Sequence, residues 1–79
     1  MKVEVISPSA ELFKGEAQSV TVPSVMGPFT LLEHHAPIVA ILEEGTVNVT
    51  DDKGEQHEFP IKGGFTEQHD NNLIICAEI

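Results

Sequence analysis

Apolar and polar residues alternate along most of the chain, which is the pattern of β-strands that bury one face. The alternation is clearest in Lys2–Ile6, Ser19–Val22 and Thr46–Thr50, where valine occupies every second position. Apolar residues at helical spacing do not persist, and 5 prolines interrupt the segments in which helices would have to form. The pattern therefore predicts about nine short strands and no helix.

Turn-forming residues separate the predicted strands, which suggests a β-sandwich or a small barrel formed by one domain. Asp51–Gly54 and Asp70–Asn72 have the composition of tight turns. Pro60 cannot donate a hydrogen bond to a neighbouring strand, so its strand should lie at a sheet edge or end there. The predicted strands are Lys2–Ile6, Leu12–Glu16, Ser19–Val22, Phe29–Leu32, Ile38–Leu42, Thr46–Thr50, Gln56–Ile61, Phe65–His69 and Leu73–Ala77.

Two predicted strands, Ile38–Leu42 and Leu73–Ala77, break the alternation because they are apolar on both faces. A two-layer sandwich buries only the inner face of each sheet. The outer apolar residues are then explained either by irregular packing in a small barrel or by a partner that covers them. The residues alone leave both explanations open.

The net charge of −9, from 13 acidic and 4 basic residues among 79, limits the partners. Nucleic acids and anionic membrane surfaces need clustered basic residues, which this chain lacks. An acidic chain instead favours basic protein partners. The start of the sequence does not resemble a secretory signal, and Cys76 has no second cysteine to pair with, so we expect a cytoplasmic protein without membrane insertion.

The histidines do not form a recognisable metal site. His34 and His35 are adjacent, so on a strand they would point to opposite faces. His57 and His69 stand at no spacing typical of zinc ligands. We therefore predict no metal.

Residues for catalysis or cofactor binding are also not recognisable. Cys76 lies in an apolar strand, where a buried structural cysteine is expected. Glu43–Glu44 and Asp51–Asp52 have the composition of solvated turns. Gly63–Gly64 lacks the spacing and the lysine of a phosphate-binding loop. A small hydrolase therefore has no support, and the sequence predicts a protein without catalytic residues and without a cofactor.

Two longer stretches carry a resemblance to a known family. Gly27–Pro37, which reads GPFTLLEHHAP, is followed by an apolar strand and Glu43–Gly45. Lys62–Phe65, which reads KGGF, is followed by a short strand, a turn and Leu73–Glu78. Together with Val5–Pro8 at the start, these stretches resemble the epsilon subunit of F-type ATP synthases. Glu33 and His34 stand where that family usually has proline and glycine.

The resemblance implies a fold and a set of contacts. The fold is an all-β, small antiparallel β-sandwich or flattened barrel of about nine to ten strands over residues 1–79, without C-terminal helices. In the family, this domain lies at the foot of the central stalk, between the gamma subunit and the polar loops of the c-ring. The residues that match the c-ring contact are Gly27, Pro28, Phe29 and Thr30. The residues that match the gamma contact are His35, Ala36, Pro37 and Ile41.

The function that this resemblance implies is mechanical. The chain would be a rotor subunit of a proton- or sodium-translocating ATP synthase, peripheral to the cytoplasmic side of the bacterial plasma membrane. The family usually continues with two helices that can inhibit hydrolysis and, in some members, bind ATP. The sequence ends at Ile79, so we expect neither helix-based inhibition nor a nucleotide site. The alternative is a stand-alone barrel that binds a small molecule.

Overall fold

A computed structural model describes all residues, 1–79, and contains eight strands and no helix. No helical segment long and apolar enough to cross a membrane is present. The strands are β1 (Lys2–Ile6), β2 (Glu11–Ser24), β3 (Gly27–Leu32), β4 (Ile38–Leu42), β5 (Gly45–Asp51), β6 (Gln56–Ile61), β7 (Gly63–His69) and β8 (Asn72–Glu78). The predicted all-β class is confirmed.

The strand count is lower than the nine to ten expected, because two predicted strands are the two halves of β2. This strand runs for 14 residues, and its pairing with β5 shifts register between Ala17 and Ser19. The extra residue at Gln18 is a β-bulge, which interrupts the alternation without ending the strand. A bulge in a continuous strand and a break between two strands look alike in sequence.

The bulged strand β2 belongs to both layers of the sandwich. Its second half pairs with β3 and β5, and β6 pairs with β5; these strands form layer A. Its first half pairs with β1, and the chain of pairings continues through β8 and β7 to β4; these strands form layer B. The pairing of β1 with β8 is parallel and the others are antiparallel, so the predicted antiparallel arrangement holds with one exception.

The core lies between the layers and is filled by the alternating apolar positions. Val20 and Val49 from layer A and Val5 and Ile75 from layer B are completely buried. Burying a side chain of this size contributes about 1.5–3 kcal/mol each. The buried apolar residues number 14, and the two layers of the sandwich both contribute to them. The valines of the alternating segments therefore lie in the core, as expected of strands that bury one face.

The connections show why particular turn residues are needed. Asp70 and Asn71, with φ of 52° and 60°, form the two-residue turn between β7 and β8. Positive φ at both turn residues gives the twist that a tight hairpin requires. Lys62 alone joins β6 in layer A to β7 in layer B.

Pro60 lies on β6, which pairs only with β5, so the predicted edge position is confirmed.

Candidate subunit interface

The outer face of layer B carries a row of apolar side chains that crosses four strands. Ile41 on β4 lies opposite Phe65 on β7, and Phe65 lies opposite Cys76 on β8. Ile6 on β1 lies opposite Cys76 and completes the row. Ile41 is 59% exposed and Phe65 is 44% exposed. We call Ile41, Phe65, Cys76 and Ile6 the apolar row.

A second row runs beside the first, two residues further along each strand. It consists of Val39, Glu67, Ile74 and Glu4, which are cross-strand neighbours in that order. Val39 is 65% exposed and Ile74 is 38% exposed. We call these four residues the mixed row, because carboxylates and apolar side chains alternate in it.

The two rows bring exposed apolar side chains together on one face, which is a feature of interaction sites. Four of the eight exposed large hydrophobic residues of the chain belong to them. The prediction that Ile38–Leu42 and Leu73–Ala77 carry apolar residues on an outer face is confirmed. Irregular packing in a barrel is not the explanation, because Val39, Ile41 and Ile74 point away from the core.

A row of side chains on the outer face of layer A has the opposite character. Thr30, Thr21, Asn48 and Glu58 are cross-strand neighbours there, and all four are polar. The hydroxyl groups of Thr21 and Thr30 are hydrogen bonded to each other at 2.8 Å. This row of layer A is therefore polar, in contrast to the apolar row of layer B.

The hairpin between β2 and β3 contains the residues predicted to contact the c-ring. Gly27, Pro28, Phe29 and Thr30 begin β3; Pro28 and Thr30 are exposed, and Phe29 packs against the core. The tip itself is formed by Val25 and Met26, which are 52% and 92% exposed. Sequence reasoning placed these two residues in a loop but did not assign them to the site. Apolar side chains in a turn, next to Gly27, are the signal that would have found them.

The residues predicted to contact the gamma subunit do not lie together. His35, Ala36 and Pro37 are exposed in the loop before β4. Ile41 lies at the other end of β4, where its carbonyl accepts a hydrogen bond of 3.0 Å from the amide of Val25. Ile41 therefore shares a groove with the β2–β3 hairpin, whereas His35–Pro37 share one with Asp70 and Asn71.

The whole chain, residues 1–79, matches the family model of the ATP synthase delta/epsilon chain, β-sandwich domain. The chain belongs to this family. It is 42% identical to the ATP synthase epsilon chain of Leptospira interrogans, covering 99% of this chain and 61% of that protein. It is 34% identical to the ATP synthase epsilon chain of Chlorobium limicola, covering 98% of this chain and 88% of that protein.

Solved structures of the same fold come from two mitochondrial ATP synthases. A chain of the Euglena gracilis OSCP/F1/c-ring structure matches 95% of this chain and 48% of its own length, with a TM-score of 0.87 and 22% identity. A chain of the Tetrahymena thermophila central stalk/c-ring structure matches 100% of this chain and 63% of its own length, with a TM-score of 0.82 and 20% identity. These likenesses agree with the sandwich fold of the delta/epsilon family.

The loop before β4, where this member of the delta/epsilon family has Glu33 and His34, is fixed by polar contacts at both sides. The amino group of Met1 donates to Glu33 Oε1 at 2.8 Å and lies 3.5 Å from Glu16 Oε1. Burial lowers the pKa of this amino group, but the hydrogen bond and charge of Glu33 outweigh it and raise the pKa above 8.0. The backbone of His34, with φ of 60°, donates to Asn71 Oδ1 at 2.8 Å.

Two of the four histidines of this family member have carboxylate partners. His57 Nε2 donates to Asp51 Oδ2 at 2.8 Å, and His69 Nδ1 lies 3.1 Å from Asp70 Oδ2. The hydrogen bond from His57 is the main cause that lowers the pKa of Asp51 below its ordinary value of 3.8. No three of the His, Cys, Asp and Glu side chains lie close enough to hold a metal ion. The His57–Asp51 pair joins β6 to the end of β5, whereas His69 and Asp70 are exposed neighbours in the chain.

Proposed function

We propose that this chain is a non-catalytic epsilon-type subunit of an ATP synthase and that it couples the gamma subunit to the c-ring. The relatives are named ATP synthase epsilon chains, and two chains of similar fold were solved in F1/c-ring and central stalk/c-ring structures. The proposed place is the F1 sector, peripheral to the membrane on its cytoplasmic side.

The observation that carries the proposal is the apolar row on the outer face of layer B. Permanent interfaces between subunits resemble a domain core cut in half, with apolar side chains on both partners. The apolar row offers such a surface on rigid paired strands, which suits a contact that must transmit torque without slipping. We assign Ile41 and its row to the gamma subunit. His35, Ala36 and Pro37 lie at the far end of β4 and mark the edge of the same contact.

The β2–β3 hairpin is the proposed c-ring contact. Gly27, Pro28 and Thr30 present its exposed side, and Met26 extends beyond them. Phe29 holds the hairpin against the core, so a force on the tip is passed to the sandwich. The groove between this hairpin and β4 brings the two proposed contacts next to each other, at Ile41.

A small-molecule-binding barrel is not favoured by any observation. Such a protein would need an internal cavity of ligand size. Here the grooves open to solvent on the surface, and the 14 buried apolar side chains fill the space between the layers.

The proposal is tested by the affinity of the purified chain for the gamma subunit of the same organism. Ile41→Asp should weaken binding on the order of thirtyfold or more, as expected for a buried hot-spot residue. Thr46→Asp, on the exposed outer face of layer A, is the matched control and should leave the affinity unchanged. Because Ile41 is exposed in the isolated chain, both variants should remain folded. Equal affinities for the wild type and Ile41→Asp would overturn the proposal.

A further inference from the structure

Two carboxylates lie in the mixed row on the outer face of layer B. Glu67 stands between Val39 and Ile74 in the mixed row, and Glu4 lies on the other side of Ile74. The ion pairs of the chain involve other acids, so neither carboxylate is neutralised internally. Lys14 is the cross-strand neighbour of Glu4, whereas Glu67 has only apolar cross-strand neighbours.

Covering this surface would remove water from both carboxylates. An ion that is desolvated without a partner of opposite charge costs several kcal/mol, which exceeds what one apolar contact contributes. A purely apolar partner would therefore be rejected at Glu67 and Glu4. A partner with cationic side chains at these two positions would bind, and the two carboxylates would make the interaction specific for such a partner.

The sheet geometry fixes the distance between the two charges. Glu67 and Glu4 are separated by two strand spacings of about 4.8 Å, so their backbone positions lie about 10 Å apart across the strands. A helix crossing the strands rises about 10.5 Å in seven residues. Positions i and i+7 of such a helix match the two carboxylates, and an apolar residue between them would lie over Ile74.

We propose that the partner segment that covers this face carries two lysine or arginine side chains about 10 Å apart, one for Glu67 and one for Glu4. The inference rests on the proposed function, in that the partner is the gamma subunit. Glu67 is the stronger determinant of the two, because Lys14 lies next to Glu4 but no lysine faces Glu67. The apolar row supplies most of the area, and the two carboxylates select the partner.

The test measures the dissociation constant of the chain and the purified gamma subunit at low and high salt. Glu67→Lys should weaken binding at least about tenfold at low salt, because it places like charges together. Glu67→Leu should also weaken binding, because it leaves the partner's cation without its counter-charge. Glu58→Lys, on the exposed outer face of layer A, makes the same charge change and should bind like the wild type. The salt dependence should be smaller for Glu67→Leu than for the wild type.

Three outcomes separate this inference from the proposed function. If Glu67→Leu binds as tightly as the wild type or more tightly, the carboxylate only keeps the free chain soluble, and the inference fails. If Glu67→Lys behaves like Glu58→Lys while Ile41→Asp loses binding, the inference fails and the proposed function stands. If Ile41→Asp also binds normally, both fail.

Discussion

At Gly64 the fold leaves no room for a side chain. It lies at the start of β7, with φ of 141°, and pairs with Ala77 on β8. A Cβ atom at Gly64 would overlap the carbonyl oxygen of Cys76 and would lie 3.1 Å from the Cα of Ala77. Both obstacles are backbone atoms of a paired strand, so they cannot move aside without breaking the pairing. We predict that Gly64→Ala strongly destabilises the protein.

The magnitude follows from two contributions. The positive φ alone costs an alanine about 1–3 kcal/mol. The overlap with the β8 backbone adds about 1–3 kcal/mol, as for other overpacked sites. The sum approaches the whole stability of a domain of this size, about 3–5 kcal/mol. Gly54→Ala is the control, because Gly54 has φ of 83° but no atom lies within 4 Å of the place that its Cβ would occupy.

The assay is urea unfolding, monitored by far-UV circular dichroism because the chain has no Trp or Tyr for fluorescence detection. Gly54→Ala should lose about 1–2 kcal/mol from backbone strain alone. Gly64→Ala should lose at least twice as much, or be unfolded without denaturant. If the two variants lost the same amount of stability, the close approach of β7 to β8 would not matter and the reasoning would be wrong.

Three further predictions concern the core and pH. Ile75→Asp should unfold the chain, because it buries an unpaired charge in a completely buried position, whereas Ile41→Asp should melt within a few degrees of the wild type; similar melting temperatures would contradict this. Gln68→Leu should raise the unfolding free energy by about 1 kcal/mol, because the buried Gln68 Oε1 has no hydrogen-bond partner and Gln68 Nε2 donates only long bonds, of 3.4 Å to Leu32 O and 3.5 Å to Met1 Sδ; a loss in urea unfolding would refute this. Because the pKa of Asp51 is lowered in the folded protein, Asp51 stabilises the fold above pH 3.8. This stabilisation is lost as the pH falls through the pKa of Asp51 in the folded protein. Asp51→Asn should therefore be less stable than the wild type at neutral pH, and its free energy of unfolding should fall less steeply in acid. If the unfolding free energies of the two proteins changed in parallel with pH, Asp51 would make no such contribution.

The strands and their buried faces could be predicted because the alternation is a local property. Val20, Val22, Val47 and Val49 alternate with polar residues, and all four are completely buried. The continuity of β2 could not be predicted, because the bulge at Gln18 depends on which strands pair on each side. The parallel pairing of β1 with β8 joins the two ends of the chain, and no local pattern indicates it.

The candidate interface was only partly accessible from the sequence. That Ile38–Leu42 and Leu73–Ala77 are apolar on both faces indicated a surplus apolar surface. The sequence did not indicate that β7 lies between these strands and adds Phe65 to the row, because strand order is set by tertiary pairing. The extended strand β4 separates Ile41 from His35, and its contact with the end of β2 brings Ile41 next to the β2–β3 hairpin. The resemblance assigned His35 and Ile41 to one contact, whereas the structure shows them in two different grooves.

Thiol protection tests most directly whether the outer face of layer B meets the gamma subunit. In a Cys76→Ser background, Ile41→Cys and Thr46→Cys each place one cysteine on an exposed position of opposite faces. We predict that binding of the gamma subunit slows the reaction of the Ile41→Cys thiol with a small maleimide at least about tenfold, because a covered side chain leaves solvent. The Thr46→Cys thiol should react at its free rate. Equal protection of both thiols, or protection of Thr46→Cys alone, would contradict the account.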